Sequence, residues 1–126
     1  MSAPTAPTPD QVLQMMRGKM GDTLPEWSGQ LKELAPDLLV STAQLSQGSV
    51  QRPDSTIPLK YRHLMAVTAA LGRRQAGCAR SQAHLAMQEG ATAEEVLDAV
   101  RIARHLMAAG ILDAAAPILK DLAGTR

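Results

Sequence analysis

The chain has 126 residues, enough for one domain around one core but near the lower end for it. Apolar residues make up 45% and aromatics 2%, namely Trp27 and Tyr61 with no Phe, so the core must come from Leu, Ala, Met and Val, which points to an all-helical fold. Thirteen basic residues against twelve acidic ones leave a net charge of +1, with no basic stripe and almost no aromatic surface for stacking bases, which argues against nucleic acid as a partner.

Other classes fall away on pattern. No uninterrupted run of about 18 apolar residues is present, so no membrane partner is expected. The opening MSAPTAPTPD has neither the charged nor the apolar region of a signal peptide, and Cys78 as the single cysteine cannot form an internal disulfide, so the cytoplasm is the expected compartment. Many small residues bury little area per helix, and self-association is the expected way to bury more.

In chain order, residues 1–7 are rich in Pro, Ala and Thr and read as a mobile or partner-packed arm, followed by one all-α domain over 8–126. Thr8-Pro9-Asp10-Gln11 opens a helix with Thr as N-cap and Gln three residues on; it carries Val12, Leu13, Met15 and Met16 and ends near Gly18 or Gly21. A second helix from about Leu24-Pro25 holds Trp27, Leu31 and Leu34 at helical spacing. Pro36 breaks that helix or opens a third, with Leu38, Leu39, Thr42 and Leu45 as the next stripe up to Gly48. QRPDSTIP, residues 51–58, is an internal loop with turn chemistry throughout.

After this loop the chain is densely helical. Leu59 to Gly72 is apolar on nearly every side and is expected to be largely buried. GRRQAG turns the chain into a helix over about 76–89, closed by Gly90. Thr92-Ala93-Glu94-Glu95 is a capping box for a helix with Val96, Val100 and Ala103 on one stripe and Leu97 beside it. That helix is expected to stop near Gly110, with a last one over roughly 111–122, giving a bundle of about six helices without a reliable strand.

The order LKYRHLMAVTAALG, GCARSQAHLAMQEGATAEEVLDAVRIA, with LKELAPDLLVSTAQL upstream, resembles the carboxymuconolactone decarboxylase and alkylhydroperoxidase D-like family over about residues 24–122. The resemblance implies an all-α fold assembling as homotrimers or homohexamers, with a site between neighbouring helices. The family's redox branch carries a Glu on one helix and Cys-x-x-Cys-x-x-x-His on the next. The Glu position falls on His63. Aligning the histidine on His84 puts Gly77 and Arg80 at the cysteines, whereas aligning the cysteine on Cys78 puts Ser81 at the second, and a one-residue slip turns a helical side chain by ~100°. In either register the resolving cysteine is missing.

Three readings follow. A dithiol cycle needs two thiols, so Cys78 could run one only with a thiol from another molecule. His63 and His84 each stand about ten residues from the turn near 73, which brings them to one level in an antiparallel pair at ~1.5 Å per residue, and the resemblance places both at site positions. Such a pair suits acid/base chemistry on a small organic acid or lactone. The third reading is a non-catalytic binding or assembly member. His105 would complete a three-histidine metal set, but its height differs from that of His84 by ~10 Å, so neither metal nor cofactor is expected. Arg62, Arg73 and Arg74 lie nearest the expected cleft and are the better candidates for meeting an anionic substrate, with a plain surface role as the alternative for each, while Met65, Met87 and Met107 read as packing.

Overall fold

A computed structural model describes residues 6–126, so the expected arm over residues 1–7 lies almost wholly outside the described residues. The described chain forms six α-helices and no strand. They are α1 (Pro9–Met20), α2 (Trp27–Leu34), α3 (Pro36–Gln47), α4 (Leu59–Gly72), α5 (Ala76–Gln88) and α6 (Ala93–Gly124), with a 3₁₀ turn, Gly21–Thr23, after α1.

Two helical layers result. Helices α1, α2 and α3 pack around Val12, Leu13 and Leu39, with Met16, Leu24, Leu31, Val40 and Ala43 against them. Helices α4 and α5 form an antiparallel hairpin, and α6 lies chiefly along α4. The layers meet where α1 and the 3₁₀ turn touch α5. There Ser81 Oγ donates a buried hydrogen bond of 2.6 Å to the Thr23 carbonyl, so a residue of α5 satisfies a turn carbonyl that burial would otherwise leave unpaired.

Local chemistry sets the helix limits. Thr8 and Gln11 exchange side-chain-to-backbone bonds of 3.2 and 2.9 Å at the start of α1, and Thr92 and Glu95 do the same at 3.1 and 3.0 Å for α6. Gly90 ends α5 at φ +93°, letting the Ala91 N–H reach back to Ala86 O at 3.0 Å. The same stop closes α4, where Gln75 N–H bonds Ala70 O at 2.9 Å, but the left-handed residue is Arg74 at φ +57°. Gly72 is the last helical residue, as the sequence reading of Leu59 to Gly72 expects.

Several expected stripes shift by a residue. On α3, Leu39 is buried while Leu38 and Leu45 face solvent; on α2, Leu31 packs inward and Leu34 does not. On α6 the inward residues are Ala99 and Ala103, with Val96 half-buried and Leu97 and Val100 exposed. Apolar residues surround each of these helices, so composition does not choose the inward face; contact with the neighbouring helix does. Helix α4 is likewise buried on one stripe only, His63, Val67 and Ala70, with Tyr61 and Met65 in solvent because α5 and α6 cover just part of its circumference. Met87 is also exposed.

The main correction concerns Gly110. The break expected there, with a separate helix over 111–122, does not occur: α6 runs through Gly110 and Pro117 for 32 residues. A glycine inside a helix costs about 1 kcal/mol but ends it only where the chain can turn away and a new cap can form; Ile111 has no capping residue before it. Beyond Ala103 no side chain of α6 is fully buried, and Ile111, Leu112, Ile118, Leu119 and Leu122 are open to solvent. By length and mean hydropathy, 1.4 over 18 residues, α6 is long and apolar enough to cross a membrane. Its sequence holds no unbroken apolar run of that length, because Arg104 and Asp113 interrupt it.

Lys60 of α4 meets Glu95 at 3.2 Å, which ties α4 to the first turn of α6. The Thr92 N–H and then Lys60 hold the Glu95 carboxyl below its ordinary value of 4.5, while Glu95 raises Lys60 above 10.5. A carboxylate depressed in the folded state stabilises the fold above its unfolded pKa and loses that contribution as pH falls through the folded value. The raised lysine contributes below 10.5 and loses its share as pH rises through its folded value. Urea unfolding of Glu95→Gln is therefore expected to be less pH-dependent than that of the wild type between about pH 5 and pH 3, and Thr92→Ala to lose about 1 kcal/mol at neutral pH. Equal acid sensitivity of the two proteins would contradict this role for Glu95.

Candidate active site

The buried stripe of α4 begins at His63, whose side chain is 1% exposed. An imidazole so placed needs partners for both nitrogens. Its Nδ1 lies 2.8 Å from Oε1 of Gln82 on α5, and its Nε2 lies 3.4 Å from Nε2 of Gln51 in the loop before α4. A carbonyl oxygen only accepts, so Nδ1 carries the proton and donates to Gln82. That leaves Nε2 as a lone pair facing the Gln51 amide across a long, weak contact.

The loop carrying Gln51 is fastened by its neighbour on α4. Arg62 donates from Nε to Ile57 O at 2.7 Å, and from one terminal nitrogen to Val50 O and to Arg52 O, the latter at 3.1 Å. Loop carbonyls thus occupy a guanidinium that the sequence offered as a cation for substrate. Arg62 shapes the loop, and the loop sets Gln51 against His63.

His63 lines a cavity of about 370 Å³ between the two layers. Met15, Met16 and Met20 of α1 and Trp27 of α2 give it an apolar wall. Its polar corner is His63, Gln51, Gln82 and Cys78, with Lys19 and Glu26 also on the lining. From α5 come Gly77, Cys78, Ser81, Gln82 and Leu85, one helical stripe. Cys78 is a free, exposed thiol. An outer, more open groove of about 620 Å³ lies along α4 and the start of α5, and Val50, Cys78 and Gln82 belong to the walls of both.

The structure thus brings His63 and Cys78 to one cavity and leaves His84 outside it. His84 is half-buried, and its Nε2 lies 2.9 Å from the Gln88 amide nitrogen one turn further along α5. Of the two registers, the one that aligns Cys78 and Ser81 with the family's cysteines puts both on the cavity lining, and its histidine position falls on Leu85, also on the lining. Arg80, a position of the other register, meets Asp22 at 3.4 Å on the surface. Ser81, at the second cysteine position, has its hydroxyl bound to the Thr23 carbonyl. Among the described residues no three His, Cys, Asp or Glu side chains are grouped as metal ligands.

Sequence reasoning missed Gln82 and Gln51. The first was accessible in principle: four residues after Cys78, it shares that residue's helical face. The second lies in a loop, and no periodicity points to it.

Residues 36–121 match the carboxymuconolactone decarboxylase family, and the chain belongs to that family. No curated protein matches the sequence.

Proposed function

We propose that this chain is a carboxymuconolactone decarboxylase-like catalyst without dithiol chemistry, in which His63 moves a proton on a small, largely apolar organic acid or lactone. The observation that carries the reading is the pair of unequal contacts at His63, Nδ1 to Gln82 Oε1 at 2.8 Å and Nε2 to Gln51 Nε2 at 3.4 Å, on the lining of a ligand-sized cavity. In this reading Gln82 holds the Nδ1 proton and Nε2 is the base. A substrate O–H, or a C–H beside a carbonyl, can replace the Gln51 contact and deliver its proton to Nε2. The two glutamine amides then serve as neutral hydrogen-bonding partners for the substrate oxygen or the ring. Their roles are positional, and methionines and a tryptophan give the cavity an apolar wall for the carbon skeleton. His84, bonded along its own helix and off the cavity lining, has no part in this scheme.

The test is turnover of a panel of lactones and small carboxylic acids by wild type, His63→Gln and His84→Ala. General-base catalysis contributes typically 100-fold or more, so His63→Gln is expected to lose activity by about that factor while His84→Ala keeps it. Unchanged turnover in His63→Gln would overturn the proposal.

A second reading is favoured by one observation: the Cys78 thiol stands on the walls of both the cavity and the groove. Its thiolate would attack a peroxide, taking one oxygen to become a sulfenic acid while the other leaves as an alcohol or water. An external thiol would then condense with the sulfenic acid to a mixed disulfide and release water. Mass spectrometry after peroxide and thiol treatment is expected to find that mixed disulfide at Cys78 if this chemistry operates, and an unmodified Cys78 would exclude it.

A further inference from the structure

The outer groove has an electrostatic character that the inner cavity lacks. Two guanidinium groups, Arg62 and Arg73, line it, and no acidic side chain does. Its floor is apolar, from Met65, Ala66, Ala69 and Ala70 of α4. The inner cavity, by contrast, has one lysine and one glutamate on its lining. Within the groove the cations differ. Arg62 is spent on loop carbonyls, whereas Arg73 is exposed and in no ion pair among the described residues.

The backbone supports a specific role for Arg73. It sits at the end of α4, directly before Arg74, whose φ of +57° is a conformation that glycine adopts at far lower cost. Strain kept in a turn is a pointer to what the turn presents. This turn places Arg73 and Gln75 on the groove lining beside Cys78 and Gln82, while Arg74 itself is off it.

We propose that the outer groove is an anion subsite in which Arg73 pairs with the carboxylate of an amphipathic organic acid. The carbon chain lies on the alanine and methionine floor and runs toward Gln82, the residue that holds His63. Arg73 is thus a specificity-determining residue. It distinguishes acids from neutral compounds of the same shape, and the fork of its guanidinium matches a carboxylate. The assignment rests on the organic-acid reading of the site given above.

The probe pair is 4-phenylbutyrate and its uncharged isostere 4-phenylbutyramide, titrated into the full chain. Backbone NMR shifts at Gln75 and Ala69 report the groove, and fluorescence of Trp27, the single tryptophan, reports the inner cavity. The wild type is expected to bind the acid about tenfold more tightly than the amide. Arg73→Gln should bring the two to equal affinity without changing that of the amide, and Arg73→Lys should restore part of the difference. Arg74→Gly, which relieves the turn and keeps Arg73, should retain the preference. Equal binding of acid and amide by wild type, no binding of either at millimolar concentration, or a preference that survives Arg73→Gln would each overturn the assignment. These outcomes are independent of catalysis. A preference lost in Arg73→Gln alongside unchanged turnover in His63→Gln would keep the subsite and remove the general-base reading.

Discussion

The burial of the His63 imidazole is the constraint on which the candidate site depends. Burying a polar group without hydrogen bonds costs roughly 1–3 kcal/mol by mutational measures, and a histidine has two nitrogens to satisfy. The fold meets this from two sides. Helix α5 brings Gln82 to Nδ1 at 2.8 Å, and the loop before α4 brings Gln51 to Nε2 at 3.4 Å. The bonds are unequal, and the inequality matters. The short one fixes the ring, and the long one is the weaker contact, the one the proposed reaction would replace.

Holding that geometry draws in residues far from the ring. Arg62 clasps three carbonyls of the loop. Ser81 fastens α5 to the 3₁₀ turn after α1, which keeps the methionines of α1 over the cavity. That bond ties the layers together.

Much of the architecture was legible in the sequence. Both capping boxes, the Pro36 start, the 51–58 loop, the Gly90 stop and the family itself follow from short-range patterns that depend on few neighbours. The resemblance pointed to His63 and Cys78, and both line one cavity. Less readable was anything decided between helices. The inward faces of α2, α3 and α6 could not be read because their apolar residues lie on several sides. Gly110 looked like a stop, but no cap follows it, and α6 passes through. His84 matched His63 in height along the hairpin, yet height says nothing of direction around a helix; the ring bonds along α5 to Gln88 instead. Gln51 and Gln82 carry no signal of their own, since an amide becomes a site residue only through the partner that packing supplies.

The central claim, that His63 is held as the Nδ1–H tautomer with Nε2 free toward the cavity, is open to direct observation. Long-range proton–nitrogen NMR of the wild-type chain at neutral pH separates protonated from unprotonated ring nitrogens. The account predicts a protonated Nδ1 and an unprotonated Nε2 for His63, with that preference lost in Gln82→Met. A His63 ring protonated at Nε2 instead, or one indifferent to the loss of Gln82, would contradict it.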